Sequence, residues 1–269
     1  MSPTSVLASM ELKSYFARRF PYLATVPCDM FVMATGEPPD RATTKFGGLP
    51  YRPAGAPWPV LADGTPYLFA FQFRFVESSD ILPSLPGDVL LVFLKEEYLV
   101  TGEDDFIVFE WQRLTNVPLV TEQECLAPRW PYFHGYGLRL RSFDFVDVTQ
   151  VSEEYTRLAE SMGCRLENDY AQALLANSAA RFGGVKVGGL PAWRSDCDTD
   201  SIYAESELLF GFSSIYPMWD LPYPFVNQSQ PLTVAQACAA GNSLNWYDGF
   251  WLYIFLDATG NVHWSFRLD

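Results

Sequence analysis

The stretch KFGGLP at residues 45–50 recurs as KVGGLP at residues 186–191, an offset of 141 positions. A second pair of segments has the same offset, because LFAF at residues 68–71 corresponds to LFGF at residues 209–212. Two matches at one spacing, in the same order, indicate that the chain contains an internal duplication.

A third match follows each of these blocks. VLLVFL at residues 89–94 corresponds to WLYIFL at residues 251–256, now 162 positions later because the second copy is longer. The chain is therefore expected to consist of two related halves, each containing a glycine turn, an aromatic strand and a buried apolar strand.

The paired glycines of the repeated motif are followed by Leu-Pro in both copies. A phosphate-binding P-loop requires G-x-x-x-x-G-K-[ST] between a strand and a helix, and neither copy has this pattern. Glycine supplies positive φ angles and proline fixes φ, so both sites are predicted to be tight turns into a loop.

Strand patterns dominate both halves. Phe69, Phe71, Phe73 and Phe75 recur with a period of two, which predicts a strand with one buried face. The short run at residues 89–94 is apolar throughout, which predicts a strand covered on both faces.

Helical periodicity is found at residues 6–20, 147–163 and 167–181. Since neither half alternates strands with helices, we expect an α+β fold with mostly antiparallel β-sheets, built from two duplicated halves joined by a helical connector. The predicted organisation is a single domain over residues 1–269, with a first half at about 1–142, a connector at 143–183 and a second half at 184–269.

The composition excludes several classes of function. With 18 Lys+Arg against 32 Asp+Glu the net charge is −14, which opposes nucleic acid and anionic membranes and favours a basic partner. Aromatic residues make up 16% and charged residues 19% of the chain, so a large core is expected rather than disorder.

The five cysteines form no C-x-x-C pair, which suits a reducing compartment. The sequence has no signal-peptide pattern and no run of 18 apolar residues, so a cytoplasmic location is expected.

The repeated motif, the Pro57-Trp58-Pro59 segment, the L-F-x-F strand, the second G-G-L-P-x-W at residues 188–193 and the late aromatic strand carry a family resemblance. In this order they resemble the YwqG-like proteins, a bacterial family of unknown function, from about Lys45 to the C-terminus. The resemblance implies a duplicated α+β fold without established catalytic residues. Members of that family resemble, in genomic setting, immunity proteins that accompany secreted antibacterial toxins, including nuclease effectors of type VI secretion.

Two acidic stretches are the candidate partner-binding surface. Ten acids lie at residues 96–105 and 196–207, and no basic residue interrupts the second stretch after Ser195. An acidic surface of this kind would capture a basic toxin by fast, electrostatically steered association. The candidate contacts are Glu103, Asp104, Asp105, Asp196, Asp198, Asp200, Glu205 and Glu207, with Trp193 and Tyr203 as aromatic anchors.

Other chemistry has less support in the sequence. Asp196 to Glu207 places acids at positions 1, 3, 5 and 12 of a calcium loop, but Ser201 replaces the expected glycine and the flanking segments are not helical. The two histidines, His134 and His263, do not make a metal site or a catalytic triad. We therefore expect an immunity protein that is not an enzyme, with no catalytic residues, no cofactor and no metal.

Two alternatives remain at this point. The first is a small-ligand-binding protein or enzyme that uses a cleft between the halves, lined by the Pro57–Pro59 loop and the Asp196 loop. The second is a scaffold whose acidity serves solubility alone.

Overall fold

The computed structural model describes residues 6–82, 84–95, 105–126, 134–161, 180–181, 185–191, 207–213, 225–227, 230–231 and 250–268. The helices are α1 (Val6–Arg19) and α2 (Val148–Ser161). The strands are β1 (Thr25–Thr35), β2 (Lys45–Phe46), β3 (Leu68–Arg74), β4 (Val89–Leu94), β5 (Ile107–Gln112), β6 (Gly135–Phe145), β7 (Lys186–Gly188), β8 (Glu207–Ser213), β9 (Phe225–Asn227), β10 (Gln230–Pro231), β11 (Phe250–Leu256) and β12 (Val262–Leu268).

The predicted α+β class is wrong, because the described part of the chain is mostly antiparallel β with two helices of 14 residues each. The periodicity at residues 6–20 and 147–163 does produce helices. The described part of the chain is nevertheless mostly strand, and its longest strands, β1 and β6, are not indicated by the sequence pattern. Both strands contain charged residues together with Pro27 or Gly137, which obscures a period of two.

All described strands belong to one sheet. Its order is β12-β11-β8-β7-β1-β6-β2-β3-β4-β5, and off this path β9 pairs with β1 and β10 pairs with β9. The neighbours along this order are antiparallel, whereas β9 runs parallel to β1.

The two longest strands, β1 and β6, form the centre of the sheet, and the two copies of the repeat extend outward from them. The first copy comprises β1 to β5, and the second comprises β6, β7, β8, β11 and β12. Met30 of β1 faces Lys186 of β7, and Tyr136 of β6 faces Lys45 of β2. Each copy therefore places its first strand against the second strand of the other copy, as an internal twofold relation requires.

Two backbone hydrogen bonds follow the same twofold relation. Phe31 donates to the carbonyl of Val185 at 2.9 Å, and Gly137 donates to the carbonyl of Thr44 at 2.8 Å. Thr44 and Val185 directly precede the equivalent lysines Lys45 and Lys186. The contact of β1 with the second copy and the contact of β6 with the first copy therefore contain the same backbone hydrogen bond.

The main core joins the two halves through aromatic side chains. Phe73 of β3 stacks on Phe210 of β8 with ring centroids 3.8 Å apart. The residues of β4 are fully buried, which confirms the predicted strand covered on both faces. The prediction that β3 has only one buried face is wrong. Gln72 is also buried, because it donates to the carbonyls of Arg41 and Thr43 in the loop that covers its face.

A second, smaller core lies beneath the helices. It contains Phe16 of α1, Val151 of α2 and Phe145 of β6, with Leu23 and Ala180. The carboxylate of Asp147 accepts a hydrogen bond from the backbone N–H of Gln150 at 3.0 Å and caps the start of α2. Residues 162–179, which hold most of the second predicted connector helix, lie outside the described residues. None of the helices in the described ranges has the length and apolar character that a membrane crossing requires.

Candidate functional site

The repeated glycine pairs form the turns that organise the candidate sites. Gly47 and Gly48 have φ angles of 65° and 69°, and Gly188 and Gly189 have φ angles of 68° and 73°. These values confirm the predicted positive-φ turns, and they explain the glycines because other residues rarely adopt this conformation. In the second copy, the turn brings the carbonyl of Leu190 against the ammonium group of Lys186, the lysine that begins the motif.

In the second copy this lysine belongs to a fully buried ionic cluster, which we call the closed site and define as Lys13, Cys28, Asp144, Lys186 and Gly189. The ammonium group of Lys186 lies 2.6 Å from one carboxylate oxygen of Asp144, and Lys13 of α1 donates to the other oxygen at 2.8 Å. Both lysines also donate to backbone carbonyls, those of Leu190 and Phe143. Two ammonium groups therefore share one carboxylate away from water.

Burial and charge set the ionisation of the closed site. Burial alone would raise the pKa of Asp144, but the two ammonium groups hold it well below its ordinary value. Burial lowers the pKa of Lys186, against the opposing influence of Asp144. Burial also raises the pKa of Cys28 to about 12, so its thiol remains protonated at neutral pH.

In the first copy the equivalent lysine belongs to a cluster that reaches the surface, which we call the open site and define as Glu37, Lys45, Gly48 and His134. The fully buried ammonium group of Lys45 lies 2.8 Å from one carboxylate oxygen of Glu37. Nε2 of His134 makes a short hydrogen bond to the other oxygen. The side chains of Glu37 and His134 are 38% and 40% exposed.

Desolvation and hydrogen bonding also compete in the open site. Burial raises the pKa of Glu37, but hydrogen bonds from His134 and Lys45 outweigh it and bring the pKa to about 2. Burial lowers the pKa of Lys45, while Glu37 works against this change. Glu37 is therefore an anion at neutral pH, and it is reachable from solvent.

The two sites are equivalent by the twofold relation of the sheet. A Cβ atom on Gly48 would collide with Glu37 and His134, and a Cβ atom on Gly189 would collide with Asp144 and Cys28. Met30 and Tyr136 are equivalent positions of the two copies, because they pair with the equivalent lysines Lys186 and Lys45. Two residues earlier in each copy, Cys28 is therefore equivalent to His134. The copies thus keep the lysine, the carboxylate and the glycine turn, while the cysteine position becomes a histidine in the open site.

What differs between the two sites is their cover. α1 covers the closed site through Lys13 and Phe16, whereas the described partners of Glu37 are Lys45 and His134, neither of which is helical. An exposed carboxylate held by a buried lysine can accept a further cationic group, whereas the closed site is already filled. The open site is therefore the candidate functional site.

A third polar cluster lies on the central strands. The buried carboxylate of Asp29 accepts hydrogen bonds from Ser78 at 2.6 Å and from Arg141 at 2.7 Å. Arg141 also makes a bidentate pair with Asp80 at 2.7 and 2.9 Å. These contacts tie the short 3₁₀ turn Val76–Ser78 and the segment that follows it to the sheet, so the cluster has a structural role.

Of the residues predicted to bind a partner, Asp105 and Glu207 lie in the described part of the chain. Asp105 is exposed, with a carboxylate oxygen 3.8 Å from the ammonium group of Lys95, and Glu207 begins β8. The remaining eight lie outside the described residues: Glu103, Asp104, Trp193, Asp196, Asp198, Asp200, Tyr203 and Glu205. The calcium-loop alternative falls in the same range, and the described residues contain no cluster of acids, histidines and cysteines that could hold a metal.

Trp58 belongs to the Pro57–Pro59 loop, which is predicted to line a cleft between the halves. Its ring is buried, and its Nε1 donates to the carbonyl of Tyr67 at 2.8 Å. The guanidinium of Arg52 lies 5.6 Å from the centre of the ring. Trp58 thus belongs to the core and does not line an open cleft.

Neither periodicity nor spacing in the sequence groups Lys45 with Glu37 and His134. One signal is visible in the sequence, because both copies begin the glycine motif with a lysine that precedes an apolar residue, Phe46 or Val187. A lysine in a buried strand needs an anionic partner. The partners themselves come from Glu37 and Asp144, whose positions depend on how the strands pair.

Comparison with known families locates most of the open site within a matched region. A model of the family described as "Domain of unknown function (DUF1963)" matches residues 44–220, well over half of the chain. This range includes Lys45, Gly48 and His134, whereas Glu37 precedes it. No curated protein matches the chain.

Proposed function

Because the chain belongs to the DUF1963 family, whose description assigns no function, we propose one from its charge and geometry. The protein is a non-enzymatic immunity protein that binds and occludes a basic toxin, specifically a nuclease effector of type VI secretion. The observation that carries the proposal is the distribution of charge between the interior and the surface.

Cationic side chains are buried more often than anionic ones in the described residues. Lys13, Lys45, Arg52 and Lys186 are almost fully buried, whereas the buried acids are Asp29 and Asp144. Arg52 is further neutralised by a bidentate pair with Glu110, at 2.7 and 3.0 Å. The surface is therefore more acidic than the net charge of −14 alone suggests.

Partly exposed arginines are also paired with acids. Arg74 lies 2.6 Å from Asp40 and 3.0 Å from Glu77. These ion pairs offset part of the positive charge that would repel a basic protein. An acidic surface of this kind attracts a cationic partner and accelerates its association.

The chemistry of a nuclease supplies such a partner. A protein that cleaves nucleic acid must bind phosphates with a positively charged groove, which an acidic inhibitor can occupy. The resemblance to YwqG-like proteins, which we propose as the finer assignment within the family, supports the same function. In this function the protein acts in the cytoplasm. It binds neither nucleic acid nor membrane, and it needs no cofactor.

Co-expression with the toxin encoded beside this protein tests the proposal. We expect the protein to protect cells from that toxin and to form a 1:1 complex with it in vitro. Raising the salt concentration should lower the association rate constant by about tenfold or more. Equal killing with and without this protein would overturn the proposal.

The acidic stretches provide a second arm of the test. Charge reversal at Asp198, Asp200 or Glu205 should slow association with the toxin. Glu153→Lys on α2 reverses the charge of an exposed acid and is the matched control. Equal effects at all four positions would mean that only bulk charge matters and that the stretch at residues 196–207 is not the contact.

A further inference from the structure

The closed site contains a lysine presented by a helix, Lys13 of α1, and no described residue supplies such a lysine to the open site. We propose that the open site receives a lysine from a helix of the basic partner, placed on Glu37 as Lys13 of α1 is placed on Asp144. This inference rests on the proposed function, and it names the position on this chain that the partner contacts.

The carboxylate of Glu37 has room for another donor. A carboxylate offers about four acceptor positions. Asp144 accepts hydrogen bonds from Lys13, Lys186 and the backbone N–H of Leu190. Glu37 accepts from Lys45 and His134. Lys45 of the open site corresponds to Lys186 of the closed site, and the described residues give Glu37 no lysine that corresponds to Lys13. Lys13 comes from a helix of this chain, and its counterpart in the open site can come from a helix of another protein.

Glu37 is also held in position and accessible. Its low pKa keeps it ionised, and the buried ammonium group of Lys45 fixes one of its oxygens. The side chain of Glu37 is 38% exposed, so a lysine can approach it from solvent. A fixed, partly desolvated carboxylate is a stronger partner for a cation than a freely solvated one.

The helix α1 defines the chemistry of the occupant. Its sequence, VLASMELKSYFARR, carries Lys13, Arg18 and Arg19 against a single acid, Glu11, so it is a basic helix. Three residues after Lys13, Phe16 packs in the small core beneath the helices. The expected occupant is a basic helix that presents a lysine with an apolar residue nearby on the same face.

A peptide of residues 6–19 serves as the probe for this site. Titrated into the full-length protein and followed by fluorescence anisotropy, the labelled peptide should bind saturably with one peptide per chain. Glu37→Gln should weaken this binding at least about tenfold, because it keeps the shape of the side chain and removes its charge. Glu153→Gln, which removes a charge at an exposed acid on α2, should leave the affinity within about twofold.

A second form of the experiment needs no variant of the protein. The same peptide with Lys13→Ala should bind the unmodified chain at least about tenfold more weakly than the native peptide. Peptide binding that is unaffected by Glu37→Gln and by this change would overturn the inference, as would the absence of binding. Dimerisation of the chain that Glu37→Gln abolishes would also overturn it, because the occupant would then be a second copy.

The two proposals can fail separately. If the peptide does not bind while the toxin is captured in a salt-sensitive complex, the position on Glu37 is wrong and the immunity function stands. If the peptide binds through Glu37 but the toxin kills cells regardless of this protein, the open site takes basic helices and the immunity function is wrong.

Discussion

Lys45 and Lys186 occupy equivalent positions of the repeat, and each forms an ion pair with a carboxylate under a glycine turn. The pair of Lys186 with Asp144 is fully buried and includes Lys13, whereas the pair of Lys45 with Glu37 reaches the surface beside His134. One motif thus exists in two environments within a single chain. Each environment serves as the control for experiments on the other.

Neutralising the buried carboxylate should destabilise the fold severely. Asp144→Asn leaves two buried ammonium groups without a counter-charge, and breaking a buried pair in this way typically costs about 3–5 kcal/mol. Glu37→Gln should cost less, because water can solvate the exposed side of the open site. Urea unfolding followed by tryptophan fluorescence measures both, and equal losses would contradict the assigned difference in burial.

The glycine turns should tolerate alanine unequally. Gly64→Ala is the reference, since Gly64 has a φ of 90° and open space around it, so the cost is backbone strain of about 1 kcal/mol. Gly189→Ala adds a collision with Asp144 and Cys28 inside the core and should cost clearly more. Gly48→Ala should fall between them, because Glu37 and His134 can move toward solvent. Midpoints of urea denaturation give this order, and a Gly189→Ala variant as stable as Gly64→Ala would contradict it.

Stability should decline in acid partly through Glu37. Its pKa is about 2 in the folded protein against an ordinary value of 4.5, so its contribution is present above pH 4.5. That contribution is lost as the pH falls from 4.5 toward 2. Melting temperatures across this range should fall less steeply for Glu37→Gln than for the unmodified protein, with Glu153→Gln as the control. Parallel curves for all three proteins would exclude Glu37 as a source of the acid sensitivity.

The aromatic contact between the halves should be essential for stability. Phe210 stacks on Phe73 at 3.8 Å and lies 5.5 Å from Phe71, so Phe210→Ala should cost about 3–5 kcal/mol. The exposed Leu126 offers a contrast, and Leu126→Ala should change stability by less than about 0.5 kcal/mol. Calorimetry should record a single, cooperative transition in both variants, and separate transitions for the two halves would contradict a shared core.

Local patterns predicted the parts of the fold that local chemistry determines. The glycine turns, the fully apolar β4 and the helix α2 all follow from short segments of sequence. The fold class did not follow. β1 and β6 are stabilised by pairing with each other over eleven residue pairs, and their own sequences carry little periodicity.

The candidate site depended on the same long-range pairing. Glu37 and His134 are 97 positions apart, and they meet because Gly36 donates a backbone hydrogen bond to the carbonyl of His134 at 3.0 Å. A single histidine has no partner that is visible in the sequence, so sequence patterns alone do not assign His134 to a site. Only the exchange of strands between the copies shows that His134 occupies the position of Cys28.

The exchange of strands at the centre of the sheet makes each copy of the repeat depend on the other. Neither copy can satisfy the hydrogen bonds of its own first strand, because β1 needs β7 and β6 needs β2. One copy on its own would therefore need a second copy, related by a twofold axis, to complete both strands. With both copies in one chain, this pairing does not depend on protein concentration. The two ion-pair sites can also differ within one molecule, and here one is covered by a helix while the other is open to solvent.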